Sequence, residues 1–137
     1  LEAELKKETR YLEIENAVIF KGFSKEVHNE INNAMVFVLP SNYEGISNAM
    51  IEALAMGIPT ICTDCPAYGA REFITNGENG FLVPVGDEEE LLNKLLLILK
   101  NKEIQSSFSE KSIEIKKDLN TDTICKQWEK FIKKISE

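Results

Sequence analysis

The sequence predicts an open parallel α/β sheet in a single domain. Short apolar runs at 17–20, 35–39, 59–63 and 81–85 alternate with stretches of helical periodicity. That alternation is the pattern of strands joined by crossover helices. A chain of 137 residues fits one domain by size, and 43% hydrophobic with 28% charged residues is ordinary globular composition. No internal repeat, low-complexity tract or linker interrupts it.

Each element has a local reason. Residues 1–12 are charged, with apolar residues at 1, 5 and 12, and read as the tail of a helix. Ala17-Val18-Ile19-Phe20 is a short strand ended by Lys21-Gly22. Ser24 can cap a helix over about 25–33, in which Val27 and Ile31 share a face. Met35 to Leu39 is a buried strand. A polar turn leads from it to a helix capped by Ser47 or Asn48, which stops at Gly57 with Pro59 beyond. Pro59 to Thr63 is the third strand, 67–74 a short helix or turn, 76–80 a turn cluster, and Phe81 to Val85 the fourth strand. Asp87 with Glu90 resembles a capping box opening a helix to Lys100. A further helix covers 102–118. The last, from Thr121 or Asp122 to the end, aligns Ile124, Trp128, Phe131, Ile132 and Ile135 on one face. That stripe either packs on its own domain or docks on another part of the protein.

Composition narrows the function. A net charge of −7 opposes nucleic-acid binding, since phosphate backbones need a basic face, and gives no support for anionic membranes. The longest apolar run, Leu95 to Leu99, is far too short to span a bilayer. Residues 1–15 are charged throughout, unlike a signal peptide, and the absence of an initiator Met suggests a piece of something longer. Cys62-x-x-Cys65 could be a redox motif or half a zinc site. With no second Cys pair and His28 the one histidine, buried small residues at a strand end are the plainer reading, and no metal site is expected. Cysteine usage fits a reducing cytoplasm.

Neither Gly-x-Gly-x-x-Gly, a P-loop, nor Gly-x-Ser-x-Gly occurs, and one histidine leaves little room for a catalytic triad. The strand–turn–helix over 35–56 is therefore the best candidate site. Ligands in open α/β sheets sit beyond the carboxyl ends of strands. There Gly45 lets backbone approach a ligand, and the amides of 45–48 can face phosphate oxygens at the positive helix end. Glu44 lies outside the helix, and Glu52, about a turn and a half inside, leans back toward its start. Two carboxylates can accept hydrogen bonds from paired sugar hydroxyls. The dipole and helix propensity alone would also account for glutamates at these positions.

The run Pro40-Ser41-x-x-Glu44-Gly45, six residues, Glu52-Ala53, three residues, Gly57-x-Pro59 resembles the Glu-x7-Glu signature of the group 1 retaining glycosyltransferases. Val18-Ile19-Phe20-x-Gly22-Phe23 is similar to that family's preceding strand and loop. Asn79-Gly80-Phe81-Leu82-Val83 with Gly86-Asp87 resembles its later Asn-Gly-x-Leu-Val and Gly-Asp segment. The likeness runs in order over about 17–100.

The resemblance implies a Rossmann-like parallel sheet, part of the C-terminal half of a GT-B fold, with C-terminal helices. The chain would be one partial donor-binding domain, core 17–100 and helices 101–137. It implies binding of a nucleotide-diphosphate sugar and retaining transfer to a carbohydrate or lipid-linked acceptor, with no metal or other cofactor. Glu52 would hold the donor ribose. Glu44 would contact the donor sugar and support departure of the diphosphate. The amides of Gly45, Ile46, Ser47 and Asn48 would bind diphosphate and sugar. Of a strand order 3-2-1-4-5-6 the chain would supply strands 3 to 6. Strand 17–20 would then slide beside 35–39, pair with another chain, or hang at an exposed edge.

The family's phosphate-binding Arg and Lys do not match Lys21 or Lys25, and the acceptor domain lies outside this sequence, so the 137 residues alone are expected to be inactive. Lys-, Asn-, Ile- and Glu-rich usage suggests bacterial cell-surface polysaccharide synthesis. That places the complete protein in the cytoplasm, or at the inner-membrane surface. Two alternatives stand beside this: another GT-B-fold enzyme, and a non-catalytic sugar-nucleotide module that works by pairing with a partner chain.

Overall fold

The structure, a computed structural model, describes residues 1–136; Glu137, the last residue of the expected C-terminal helix, lies outside the described residues. The elements are α1 (Glu2–Tyr11), α2 (Val27–Ile31), β1 (Phe37–Leu39), α3 (Asn48–Ala55), β2 (Thr60–Thr63), a 3-10 turn (Gly69–Glu72), β3 (Gly80–Val83), α4 (Glu88–Lys100), α5 (Lys102–Ser112), α6 (Ile115–Asp118) and α7 (Thr121–Ile135).

The three strands form one parallel sheet ordered β1-β2-β3, with Val38 opposite Ile61 and Ile61 opposite Phe81. Parallel neighbours in chain order are what strands 4, 5 and 6 of the expected sheet would give. β2, in the middle, is buried along its whole length. Its alternate side chains feed two cores, because successive residues on a strand point to opposite faces. On one face Ile61, Phe81 and Val83 pack with Ile98 of α4 and Phe108 of α5, the rings of Phe81 and Phe108 meeting edge to face at 5.0 Å. On the other, Cys62 packs with Met50 and Leu54 of α3 and with Ile74.

Local signals set most boundaries. Ser47 caps α3, its Oγ accepting from the Met50 amide at 3.4 Å, and Gly57 turns the chain out at φ +73°. Asp87 caps α4 and Asn101 caps α5. Pro84, which has no amide hydrogen for a ladder, follows the last residue of β3.

Two expectations are corrected, and a third is narrowed. Residues 17–20 form no strand; they run as irregular backbone with Ile19 exposed and Phe20 beneath the Lys6 ammonium. A strand exists through its ladder, and none of the described strands lies alongside them. The segment 102–118 is two helices, because Ser112 is buried with its hydroxyl on the Ser109 carbonyl and the amides of 114 and 116 bond three residues back. Of the two outcomes expected for the stripe on α7, packing on its own domain is met only at its start, where Ile124 is half-buried and α7 meets α6. Trp128, Phe131, Ile132 and Ile135 are all more than half exposed, since α4 and α5 on one face of the sheet and α3 and α6 on the other already close its cores. Among the described residues no helix is long and apolar enough to cross a membrane.

Candidate functional site

Two helices begin at the carboxyl edge of the sheet, and they differ in charge. α4 starts with Asp87 as cap and Glu88, Glu89 and Glu90 in its first turn, so carboxylates neutralise its positive end. α3 has no acidic residue in its first turn. The amides of Asn48 and Ala49 have no carbonyl four residues back, so the field and the free donors both favour an anion there. A cavity of about 290 Å³, lined by Pro40, Asn42, Thr63, Gly86, Asp87 and Glu88 among others, opens beside the acidic end instead.

The structure brings the sequence-predicted residues together on the rim at 44–52. Glu44 is half-buried at the end of the turn, while Gly45, Ile46 and Asn48 face solvent and Ser47 is buried as the cap. A Cβ built on Gly45 meets nothing within 4 Å, leaving open space above this peptide. Glu52 projects from the next turn of α3 with its side chain 44% exposed, and His28 Nε2 lies 3.6 Å from its Oε2.

The turn is held from behind by the end of β2. The Thr63 hydroxyl donates to the Ser41 carbonyl at 2.5 Å and approaches the Leu39 carbonyl at 3.4 Å. The Cys65 thiol donates to the Glu44 carbonyl at 3.7 Å. Between these contacts lies a void of about 10 Å³, room for about one water, lined by Ser41, Glu44, Ser47, Cys62, Thr63 and Cys65 among others. Burial pushes the Cys62 thiol up to about 12, with Cys65 and Glu44 adding to the rise. A thiol so hard to ionise is neither a ready metal ligand nor a nucleophile. Just beyond, Arg71 makes a two-pronged bond to Asp64, Nε to Oδ1 at 2.6 Å and Nη2 to Oδ2 at 2.5 Å, with the Tyr68 ring 4.4 Å from the guanidinium. The guanidinium holds the Asp64 carboxyl below its ordinary range.

The nearest basic candidate from sequence, Lys21, pairs with Glu30 at 3.3 Å. Sequence reasoning missed His28 as a neighbour of Glu52, and missed Thr63 and Cys65 as supports of the turn. His28 is the single histidine of the chain, but only folding sets α2 beside α3.

Comparison with known proteins decides the family. Residues 1–115 match the family model described as glycosyl transferases group 1. The chain belongs to the group 1 glycosyl transferases. An uncharacterized glycosyltransferase of Haemophilus influenzae is 31% identical over 127 residues, covering 93% of this chain and 36% of that protein. The poly(glycerol-phosphate) alpha-glucosyltransferase of Bacillus subtilis is 27% identical, covering 90% of this chain and 18% of that one. Among solved structures, a variant of S. aureus TarM in complex with fondaparinux, alpha-GlcNAc-glycerol and UDP superposes with a TM-score of 0.85 at 26% identity. That match covers 92% of this chain and 26% of TarM. This group 1 chain therefore spans between 18% and 36% of the three proteins named, and its fold is that of the Rossmann-like C-terminal domain of GT-B enzymes.

Proposed function

We propose that this chain is the donor-binding part of a retaining glycosyltransferase acting in bacterial cell-surface polysaccharide synthesis. The observation that carries the reading is one rim at the carboxyl end of β1. It joins an un-neutralised helix N-terminus, the exposed residues Gly45, Ile46 and Asn48 around the buried cap Ser47, and Glu44 and Glu52 on either side. A nucleotide-diphosphate sugar matches that rim part by part. The diphosphate lies on the amides of Gly45, Ile46, Ser47 and Asn48, where the helix field stabilises its charge. The Glu52 carboxylate accepts from the ribose hydroxyls. Glu44, at the mouth of the turn, holds a hydroxyl of the donor sugar and favours departure of the diphosphate as the glycosidic bond loosens.

The acceptor hydroxyl then attacks from the face the diphosphate leaves, so that configuration is retained. The departing phosphate takes up the acceptor proton, and the amides hold the charge it carries without a metal. The acceptor, a carbohydrate or a lipid-linked carbohydrate, is bound by parts of the full-length protein outside these 137 residues, which alone do not turn over. UDP in the TarM complex supports a uridine nucleotide as the donor's leaving group.

The test is titration of the full-length protein with UDP-, GDP- and ADP-sugars, followed by anomer analysis of the product by NMR. Binding of one class and a product of unchanged anomeric configuration are expected. Binding of none, or an inverted product, would overturn the reading.

A further inference from the structure

Behind the turn at 41–46 the chain leaving β2 folds back in an unusual conformation. Ala67 and Tyr68 both lie at positive φ, +79° and +52°, where residues with a side chain seldom sit. The Asp64–Arg71 pair spans this bend, and Tyr68 lies against Arg71. The bend delivers Gly69, which is buried, against the backbone of the turn. A Cβ on Gly69 would lie 2.0 Å from the Gly45 carbonyl oxygen, 2.3 Å from its carbon and 2.7 Å from the Ile46 nitrogen. All three are backbone atoms of one peptide, so no side chain can swing aside.

We propose that Gly69 is a positioning residue that sets the plane of the Gly45–Ile46 peptide and so aims the Ile46 amide at the second phosphate of the donor diphosphate. This rests on the donor-binding reading above. The bend is a fixed stop: Gly69 touches the peptide from behind, and the Cys65 thiol holds the Glu44 carbonyl one residue earlier. The turn itself is the part that can yield, because open space lies beyond Gly45. A methyl group at 69 therefore pushes the peptide outward and turns its amide. α3 stays where it is, since Met50 and Leu54 bury it independently, and Glu52 stays with it.

The consequence separates the two halves of the ligand. Binding that depends on the second phosphate should fall, and binding through the ribose should not. In the full-length protein, UDP and UMP affinities are measured by calorimetry for wild type, Gly69→Ala, Cys65→Ala and Cys65→Ser. Gly69→Ala is expected to weaken UDP by about ten- to hundredfold, the loss of one charge-assisted amide bond, while UMP changes less than about twofold. Where Gly69→Ala does not fold, the Cys65 pair carries the test: Cys65→Ala weakens UDP selectively, and Cys65→Ser, which keeps a donor to the Glu44 carbonyl, restores it. Variants that bind UDP and UMP in the wild-type ratio would overturn the inference alone. Wild-type protein that binds neither nucleotide would overturn the donor-binding reading and this inference with it.

Discussion

Replacing Glu52 by Ala in the full-length protein should weaken donor binding while leaving the fold intact. The side chain is 44% exposed, and its near neighbour is His28 at 3.6 Å, longer than a hydrogen bond and open to water. A pair of that kind contributes about 0–1 kcal/mol, and Ala is the better helix former, so the net change in stability should stay under about 0.5 kcal/mol. For a domain of this size that shifts the melting temperature by roughly 1–2 °C at most. On the ligand side a charged acceptor is removed from paired hydroxyls, at about 1.5–3 kcal/mol, or roughly ten- to 150-fold in Kd. UDP and UMP should lose equally, because both carry the ribose, in contrast to the selective loss at Gly69. Glu52→Gln, which keeps one acceptor oxygen but no charge, should fall between. Calorimetry and a thermal melt on the same samples decide it. An unchanged Kd would refute the ribose assignment, and a melting temperature lowered by about 10 °C would show that Glu52 is structural.

Glu44→Gln should lower kcat by about a hundredfold or more with little change in KM, as expected for a group needed mainly in the transition state; a rise in KM alone would count against its place at the sugar. Phe108→Ala removes a buried ring, 3% exposed, that sits edge to face with Phe81. It should destabilise by about 3–5 kcal/mol in urea unfolding, and a cost under about 1 kcal/mol would mean that α5 is not held as described. The folded Asp64 carboxyl titrates below its ordinary 3.8, because Arg71 hydrogen-bonds it. Its contribution to stability is therefore fully present above about pH 4 and lost as pH falls through the folded value. Arg71→Ala should flatten that acid limb, and identical acid unfolding of the two proteins would refute it.

The fold was legible wherever a boundary has a local cause. Ser47, Asp87 and Asn101 each hold a helix start through their own side chains, and Gly57 sits at the left-handed φ that ends α3. It was illegible where the cause is tertiary. Val18-Ile19-Phe20 has every local property of a strand and lacks only a neighbour; of the outcomes expected for it, it does not slide beside β1 and is left unpaired among the described residues of this chain. The stripe on α7 shows the same limit from the other side. Its periodicity correctly gave the helix and the shared face, but what the face meets depends on where α6 sends the chain.

The site divides along the same line. Glu44 and Glu52 could be placed from the sequence because one strand, one turn and one helix carry both, so their spacing along the chain sets their spacing in space. The groups that fix the turn sit on β2 and the bend after it, about twenty residues later: Thr63 on Ser41, Cys65 on Glu44, Gly69 on Gly45. Nothing in the spacing of 63, 65 and 69 announces that they face 41, 44 and 45; the parallel pairing of β1 with β2 brings them there. On the proposed reading, a Glu-x7-Glu pattern intact in sequence would still fail to make a donor site if the bend at 67–69 were altered. The motif supplies the carboxylates and amides of the rim, and the neighbouring strand supplies the contacts that hold the turn carrying them.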